Sequence, residues 1–551
     1  MDEYPTQKMT SSEAQAWLES ATGVSDIALT GTFPESYSAP KDVVKGEFIR
    51  IIPDSDGAMR AFSDLCQLKA QGRLDPHNAK FIIATGSDRF ERPGITHAYE
   101  AESVTTGHFT IGWHVLSVSG PRKWKIGTSL QEVDILLAFP EALGSDRIAP
   151  VHVTLRLNEQ SGVWNLKAGA SMKVDKEQLL PDGSICLSRY RTRLWLNGLT
   201  YIVEFVVTDA EQEKLYIEER NRMFPGKSIS RSKFSGLPFN SDIRLPFAVF
   251  RRGLGSGTFG FVFEGFEPIR GDPRVIKRLP LANQTDADEA AQEVRALHTL
   301  RGCTGIVTMH GIADNEGRPE FPKVFPSDLY IVQQRGIPFN GWQEVMDEGV
   351  WDRRARHMHS LLMGVYAFHV RGWMHRDITT NNLLYAVEKG EMQPSKAMLC
   401  DFGKVGFTRT DIKTHLAAFE LLPPEIRRPP QVQDKSYTHK IDIWMLGLAL
   451  IQHWWPQARS FHPRVQDQWN QLILRLKNEK GSPLVQFLVK MLQWKPELRP
   501  EARDILRDTD FKHLIPFEVW RKGEEERDEL YKKALKEEEE MKKAAGKAQG
   551  A

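Results

Sequence analysis

Asp377 and Asn382 stand five residues apart in the segment His375-Arg376-Asp377-Ile378-Thr379-Thr380-Asn381-Asn382, directly after an apolar helical pattern. A further carboxylate follows in Asp401-Phe402-Gly403. Phosphoryl transfer needs one carboxylate facing the attacking hydroxyl, and oxygen ligands that hold magnesium against the phosphates. The pattern therefore predicts that Asp377 accepts or orients a substrate hydroxyl and that Asn382 and Asp401 coordinate Mg²⁺.

Three glycines upstream are spaced to approach phosphates. Gly255, Gly257 and Gly260 lie in the run Gly255-Ser256-Gly257-Thr258-Phe259-Gly260-Phe261-Val262. Such spacing allows a tight strand-turn-strand whose backbone amides reach a phosphate without obstruction by side chains. Glycine triplets also mark ordinary hairpins, so the interpretation depends on the residues that follow.

Lys277 follows this hairpin, in the apolar run Arg274-Val275-Ile276-Lys277. A lysine inside an apolar strand is costly unless it is paired. The predicted partner is Glu293, with Glu289 one turn earlier as the alternative, both in a helical pattern. A surface lysine on an edge strand is the simpler interpretation of Lys277 alone. The order of glycine loop, lysine and helical glutamate favours catalytic roles for Lys277 and Glu293.

With these motifs in place, residues from Phe247 to Phe511 resemble the eukaryotic protein kinase family. The resemblance continues in Pro424-Glu425, in Asp442-Ile443-Trp444-Met445-Leu446-Gly447 and in Arg499-Pro500. These later motifs distinguish the region from small-molecule kinases. The resemblance implies a bilobal α+β protein kinase-like fold at residues 246–515. It also implies ATP as co-substrate, Mg²⁺ as cofactor and protein substrates, with serine or threonine favoured.

The resemblance also implies the nucleotide-binding positions. Gln333 falls at the gatekeeper position, the backbone after it is expected to bind adenine, and Val262 and Leu384 would enclose the purine. Phe402 and His375 match an apolar stack together with Leu297. The full set of expected ATP-binding residues is Gly255, Gly257, Gly260, Val262, Val275, Lys277, Gln333, Gln334 and Leu384.

Three residues depart from the family pattern. Val275 replaces an alanine that lets adenine approach, Thr379 replaces a lysine that steadies the γ-phosphate, and Ala418 replaces a threonine that contacts both the catalytic aspartate and that lysine. Two alternatives stay open: a rewired but active loop, and a pseudokinase scaffold that binds nucleotide or partners without catalysis. The five essential groups are retained, which favours activity. They are Lys277, Glu293, Asp377, Asn382 and Asp401.

Regulation is expected through the activation segment. Arg376 precedes the catalytic aspartate, so a phosphorylated residue in this segment could order it by pairing with that arginine. Candidates are Thr408, Thr410 and Thr414, which are equally well explained as ordinary loop threonines.

The sequence of residues 46–210 predicts an all-β sandwich. Its short strands are punctuated by turn residues, and two β-rich runs flank Asn197-Gly198, a strong hairpin signal. It resembles a forkhead-associated domain, on Trp124-Lys125-Ile126-Gly127 and Ile148-Ala149-Pro150-Val151-His152 in particular. A helix near Ala58 to Gln71 is also indicated.

The groups that grip phosphothreonine in that family are missing here. Thr128, Ala149 and Ala170 stand in place of an arginine, a serine and an asparagine. The resemblance therefore implies a protein-interaction module that binds unphosphorylated partners or docks on the kinase lobe. His152 is interpreted as a histidine that stabilises the core or a turn.

The remaining segments are interpreted as a linker and as the two ends of the chain. Residues 1–45 predict a mobile arm, residues 211–245 a linker, and residues 516–551 a charged helical tail. Glutamate and lysine dominate that tail. It predicts a solvated single helix held by i,i+4 pairs, with a partner-binding coiled coil as the alternative.

Composition excludes several classes of protein. A formal net charge of +1 gives no global attraction for nucleic acid or an anionic membrane. The four scattered cysteines form no metal-ligand pairs and no disulfide framework, which indicates a reducing compartment. The first residues are polar, and no apolar run is long enough to span a bilayer. A cytoplasmic or nuclear protein is expected, with no membrane or nucleic-acid partner.

Overall fold

The computed structural model describes residues 46–93, 99–138, 148–207, 209–225, 235–238, 243–257, 260–341, 346–386, 394–407, 422–426, 437–455, 466–478 and 483–549. These residues form two compact units. The first runs as far as Arg278 and includes Glu316–Arg318, and the second comprises Leu279–Asn315 and the residues from Pro319 onward. The predicted mobile arm, Thr408, Thr410, Thr414 and Ala418 lie outside the described residues.

The elements of the first unit are mostly strands. The strands are β1 Glu47–Pro53, β2 Ile82–Pro93, β3 Tyr99–Gly112, β4 Lys123–Gly127, β5 Ile135–Leu136, β6 Val153–Leu157, β7 Trp164–Ala168, β8 Met172–Val174, β9 Glu177–Leu179, β10 Ser184–Cys186, β11 Arg191–Leu196, β12 Leu199–Phe205, β13 Ile243–Leu245, β14 Ala248–Gly257, β15 Gly260–Phe266 and β16 Pro273–Leu281. The helices are α1 Asp56–Ala70, α2 Pro76–Ala79 and α3 Ala210–Met223.

The elements of the second unit are mostly helices. They are α4 Gln284–Thr299, α5 Val350–His369, α6 Lys440–Trp454, α7 Gln466–Asn478, α8 Val485–Met491, α9 Ala502–Arg507, α10 Thr509–His513 and α11 Phe517–Gln549, with 3₁₀ turns at Phe339–Gly341 and Pro496–Leu498. The strands are β17 Met309–Asp314, β18 Ser327–Gln334, β19 Ile337–Pro338, β20 Trp373–Met374, β21 Leu383–Ala386, β22 Lys396–Leu399 and β23 Gly406–Phe407.

Two sheets share one core at the start of the chain. The first has the strand order β2-β3-β1-β12-β11-β8-β9, and the second has the order β10-β7-β6-β4-β5. Apolar residues of both sheets, such as Ile51 of β1 and Trp164 of β7, belong to the same buried cluster. The two sheets therefore form a sandwich, with α1 present as indicated by the sequence.

The hairpin at Asn197-Gly198 forms as its sequence predicts. Leu196 of β11 pairs with Leu199 of β12, so these two residues alone make the turn. Both have positive φ, 47° at Asn197 and 99° at Gly198. Asparagine and glycine tolerate this left-handed conformation better than other residues, which explains their choice here.

Helix α3 corrects the linker predicted at 211–245. Its Tyr216 is buried and its hydroxyl accepts a hydrogen bond from Trp164 Nε1 at 2.9 Å. Phe224 and Leu237 join the same buried core. The prediction failed because this stretch is dominated by charged residues, and only a few apolar side chains make the contact with the sandwich.

Strands β13 to β15 and β16 as far as Arg278 also belong to the first unit. They form an antiparallel meander in chain order, and Val249 and Phe266 pack against Val163 and Cys186 of the sandwich. The Cys186 amide also donates to the Pro268 carbonyl at 2.8 Å. Thus the strands that carry the glycine-rich hairpin are built directly onto the sandwich.

Helix α5 is the centre of the second unit. Fifteen of its residues are buried, and it packs against β22 and α9. The three strands β19, β21 and β22 form a small antiparallel sheet, and β20 pairs with β23. These short strands hold the loop that contains Asp377.

Helix α11 corrects the expectation of a solvated tail. Trp520, Arg527 and Leu530 are buried, and Trp520 packs on His359 of α5 at 6.0 Å between ring centroids. Both Thr304 donors bond the Glu526 carboxylate at 2.7 Å. A docked face is hard to predict in this sequence because its buried positions include charged residues whose stems provide the packing.

Among the described residues, no helix has both the length and the apolar character that crossing a membrane requires.

Candidate active site

The loop around Asp377 is anchored by a buried carboxylate. Asp442 of α6 accepts hydrogen bonds from the amides of His375 and Arg376, both at 2.9 Å. His369 Nε2 lies 3.0 Å from the same carboxylate. Arg376 has φ 67°, which is unfavourable for an arginine. Asp442 therefore holds the strained backbone immediately before Asp377.

The charge of Asp442 is maintained by its partners. Burial raises the pKa of this carboxyl, but the hydrogen bond and charge of His369, the charge of His375 and the Arg376 amide together hold it below its ordinary value. A fully buried carboxylate with these donors stays ionised. It can then keep accepting from both loop amides.

Asp377 and Asn382 lie together, as their spacing predicts. Asn382 Nδ2 donates to the Asp377 carbonyl at 2.8 Å and to its carboxylate Oδ2 at 3.2 Å. The Asp377 amide in turn donates to His375 Nδ1 at 3.3 Å. These bonds fix the orientation of the carboxylate within the loop.

Lys404 is a third member of this cluster, and sequence reasoning missed it. Its ammonium nitrogen lies 3.1 Å from Asp377 Oδ2, and both side chains are mostly buried, with 14% and 13% exposed. Arg376 Nε donates to the Lys404 carbonyl at 2.8 Å. The arginine that precedes the aspartate thus positions the backbone of the lysine that pairs with it.

Gly406 makes this placement of Arg376 achievable. A Cβ atom on Gly406 would lie 1.6 Å from Arg376 Nη2, so any side chain at this position would displace the guanidinium of Arg376. Gly406 pairs with Met374 in the β20–β23 ribbon. Arg376 Nη1 also donates to the Tyr437 hydroxyl at 3.3 Å.

Asn382 and Asp401 offer oxygen atoms that suit magnesium. Both hydrogen bonds donated by Asn382 Nδ2 go to Asp377, so Asn382 Oδ1 remains as the acceptor of this side chain. The Cys400 amide donates to the Asn382 carbonyl at 3.0 Å. Because Asp401 follows Cys400 in the chain, this bond brings the backbone of Asp401 close to that of Asn382. Magnesium commonly takes one or two protein oxygens and completes its shell with phosphates and water. The residues fit that donor set.

Phe402 is buried beside the loop. Its ring lies 5.4 Å from that of His375 and 5.1 Å from that of Phe368, both edge-on. Sequence reasoning missed Phe368, whose place in an apolar helix gave no signal for it. Leu297 is buried in α4, and its contact with the stack stays a prediction.

The segment expected to bind adenine lies near Leu384. Gln333, at the end of β18, is 6% exposed, and the Gln334 amide donates to the Thr308 carbonyl at 2.8 Å. A Cβ on Gly336 would lie 2.7 Å from that of Leu384, so the chain passes close to this side chain after Gln334.

The glycine-rich hairpin aligns its residues across three strands. Gly255 of β14 is opposite Val262 of β15, which is opposite Lys277 of β16. Residues directly opposite each other in antiparallel strands share a face. Gly257 pairs with Gly260 at the turn, and Val275 pairs with Glu264. The two paired strands of the predicted hairpin are therefore present, and residues 258–259 between them lie outside the described residues.

Lys277 and Glu293 lie in different units, and their pairing stays a prediction. Lys277 is 8% exposed and Glu293, in α4, is 1% exposed. Glu289, the alternative partner, is exposed. Burial of the charged groups makes Glu293 the better candidate, because a buried ion requires a partner.

The late family motifs form a buried ion pair. Arg499 Nη1 and Nη2 bond Glu425 Oε1 and Oε2 at 2.6 and 2.8 Å. Trp444 lies beneath the guanidinium at 4.9 Å. The two-point geometry restrains the chain at Glu425, the last residue but one of the described segment 422–426.

Residues 249–511 match the model of the protein kinase domain family. A stress-activated protein kinase, jnk-1, of Caenorhabditis elegans is 24% identical over 270 residues, which cover 48% of this chain and 52% of that protein. The serine/threonine-protein kinase 4 homolog B of Dictyostelium discoideum is 27% identical over 283 residues, or 48% of this chain and 23% of that protein.

A third relative is mitogen-activated protein kinase kinase kinase 3 of Arabidopsis thaliana. It is 26% identical over 285 residues, which cover 47% of this chain and 42% of the relative. The chain thus spans about half the length, or less, of these three curated relatives. Residues 249–511 are thus similar to protein kinase domains, and the loop geometry agrees with that similarity.

Proposed function

We propose that this chain is an active protein kinase that transfers the γ-phosphoryl group of ATP to protein hydroxyls, with serine or threonine favoured. The observation that carries the proposal is the ion pair between Lys404 and Asp377, at 3.1 Å. The pair answers the main objection to activity, which is the neutral Thr379 where a lysine is expected.

Charge is the reason that this pair matters. The transferred phosphoryl group carries charge on its oxygens, and catalysis depends on positioning and neutralising that charge. No residue from Asp377 to Ala386 is cationic. Lys404 brings an ammonium group to the carboxylate that would face the substrate hydroxyl, so the loop regains a cation from a different place in the chain.

The other groups have defined tasks under this proposal. Asp377 accepts or orients the substrate hydroxyl, and Asn382 holds that carboxylate in place. Asn382 Oδ1 and Asp401 would hold Mg²⁺, which supplies charge neutralisation at the phosphates. Lys277, partnered by Glu293, would hold the α and β phosphates, and the backbone amides at Gly255, Gly257 and Gly260 would cradle them.

Nucleotide recognition follows the same proposal. The backbone after Gln333 and Gln334 would bind adenine, with Val262 and Leu384 on either side of the purine. Val275 makes one wall of this site bulkier than an alanine would. The names of two relatives, a serine/threonine-protein kinase and a stress-activated protein kinase, support protein substrates.

The rival is a pseudokinase scaffold that binds nucleotide or partners without transfer. Its support is Thr379 in the described loop, together with Ala418. An assay that follows labelled γ-phosphate from ATP to a generic protein and to the chain itself separates the two. Wild type should transfer phosphate, and Asp377→Asn should lower the rate by about 10²- to 10⁴-fold.

Nucleotide affinity is the necessary control for that assay, because a variant that cannot bind ATP is also silent. Binding of a fluorescent ATP analogue should be the same in wild type and Asp377→Asn. If both proteins bind the nucleotide and both are silent, the chain is a scaffold and the proposal is wrong.

The sandwich is proposed to be a protein-interaction module of forkhead-associated type. Its support is the two-sheet architecture together with the strand motifs around Trp124 and His152. His152 is buried, its Nδ1 accepts from the Ala149 amide at 3.1 Å and its Nε2 lies 3.3 Å from the Ser171 carbonyl. These bonds fit a turn-stabilising histidine.

A further inference from the structure

One face of the second sandwich sheet is unusually cationic. On β4, β6 and β7, inward residues such as Trp124, Leu155 and Leu166 are buried, and the alternate residues lie on the opposite face. Thr154 on that opposite face is buried, whereas partial exposure is found at Lys123, Lys125, Arg156, Asn165 and Lys167. The outward positions make two rows across the three strands. The rows are Lys123–Arg156–Asn165 and Lys125–Thr154–Lys167. We call these six residues the basic face.

Like charges are placed directly opposite each other on the basic face. Lys123 pairs with Arg156 across β4 and β6, and such pairs destabilise a sheet. Burial and then the charges of Arg156, Lys125 and Lys167 lower the pKa of Lys123, while Asp134 opposes the shift. The arrangement therefore costs stability in the free protein.

Internal counter-charges do not remove this excess within the part of the chain that the structure describes. Lys167 pairs with Asp182 at 2.6 Å, and Asp182 is itself highly exposed at the rim. Asp134 is buried and is occupied by His77, Ser117 and the amides of Val118 and Lys125. Arg156 Nε is buried without a hydrogen-bond partner among the described residues.

We propose that the basic face binds an acidic segment of a partner protein in extended conformation. Successive outward residues of one strand are about 6–7 Å apart and neighbouring strands about 5 Å apart. Alternate side chains of an extended peptide have the same 6–7 Å spacing, so aspartate or glutamate at every second position would meet one cation each.

Protein is favoured over nucleic acid as the partner. None of the six outward residues is aromatic, whereas surfaces that bind single strands combine cations with aromatic platforms for the bases. The net charge of +1 also provides no general attraction for a polyanion. The proposal does not depend on phosphoryl transfer by the kinase domain.

The test measures binding of a fluorescein-labelled extended peptide with glutamate at alternate positions, by anisotropy, on the full chain. An identical peptide with glutamine replacing glutamate is the neutral control. The glutamate peptide should bind, the glutamine peptide should bind at least tenfold more weakly, and the difference should shrink as salt rises from about 50 to about 200 mM.

The double variant Lys123→Gln/Arg156→Gln should weaken binding of the glutamate peptide by about tenfold. A matched variant, Lys176→Gln/Lys214→Gln, removes the same charge from exposed positions elsewhere in the first unit and should bind like wild type. Because the first variant relieves an opposed pair of like charges, its melting temperature should be equal to or higher than that of wild type.

Three results would overturn the proposal. They are equal affinity for the glutamate and glutamine peptides, equal loss in the two double variants, and tighter binding to a uridine-rich RNA or to vesicles with anionic lipid than to the acidic peptide.

Discussion

The loop around Asp377 and the N-terminal sandwich both lack charged residues that their family resemblances predict. The two regions differ in what takes the place of the missing charge. In the loop, Thr379 is neutral, and Lys404 places an ammonium group 3.1 Å from Asp377. In the sandwich, Thr128 stands where the forkhead-associated resemblance would place an arginine, and its hydroxyl donates to the Ile148 carbonyl at 3.2 Å. One region regains its charge at the same carboxylate, whereas the other closes the position with an internal hydrogen bond.

The loop thus has a positive charge that comes from another position in the chain, whereas the sandwich has no charge at the corresponding position. A cation that returns to the same carboxylate can serve the same chemistry, because electrostatic stabilisation depends on position and not on chain order. Thr128 is buried, so no donor remains at that position for a phosphate. The cations of the sandwich lie instead on the basic face, where they suit a different ligand.

Loss of Arg499, a charged residue of the motifs that this chain shares with the family, should have the largest effect on stability. Arg499→Met leaves the buried Glu425 carboxylate without its partner, so the free energy of unfolding should fall by about 3–5 kcal/mol. Arg521→Met is the matched control, because Arg521 forms exposed pairs with Glu518 and Glu525 and its loss should leave stability close to that of wild type. Chemical denaturation measures both, and equal losses would contradict the argument.

Acid should loosen the second unit. Burial lowers the pKa of His359, and separately of His357, to about 4, with the charge of Arg527 adding to the shift at His359. An unfolded histidine titrates near 6.5. Between pH 6.5 and pH 4 the unfolded chain therefore binds more protons, and stability falls as pH decreases, by roughly 3 kcal/mol for each histidine.

The variant His359→Phe measures how much of this acid sensitivity comes from one histidine. Its ring lies beside Trp520 and against Gly523 of α11, so acid should increase hydrogen exchange in α11 of wild type more than in this variant. His298→Phe, at an exposed site of α4, should keep the wild-type response. An unchanged response in His359→Phe would remove His359 from the explanation.

Restoring the missing arginine in the sandwich should fail. Thr128→Arg forces a long cation into a buried position and breaks the bond to Ile148, so stability should fall by about 1–3 kcal/mol. Binding of a phosphothreonine peptide should not improve. A gain in phosphate-dependent affinity, measured by calorimetry, would mean that the position is still open to a ligand.

The smallest effect is expected for phosphorylation of a peptide ligand. A single phosphothreonine should change affinity for the full chain by less than about threefold relative to threonine, because Thr128, Ala149 and Ala170 supply no charged donor. A peptide array with matched pairs measures this. Strong dependence on the phosphate would contradict the account of the sandwich.

Local signals in the sequence were sufficient for much of the fold and the site. The Asn197-Gly198 hairpin and the juxtaposition of Asp377 with Asn382 depend on short-range spacing, and both form. Lys404 was not predicted because its meeting with Asp377 depends on Arg376 holding its carbonyl and on Gly406 leaving room. The docking of α3 and α11 was missed because few apolar residues carry it.

We propose that Lys404 supplies the charge that Thr379 lacks. The direct test is the rate of phosphate transfer by wild type, Lys404→Met and Lys404→Met/Thr379→Lys, with nucleotide affinity measured in parallel. We expect Lys404→Met to lower the rate by roughly 10- to 100-fold and the added Thr379→Lys substitution to restore much of it. A rate that rises in Lys404→Met would show that the lysine blocks Asp377, and would contradict the claim.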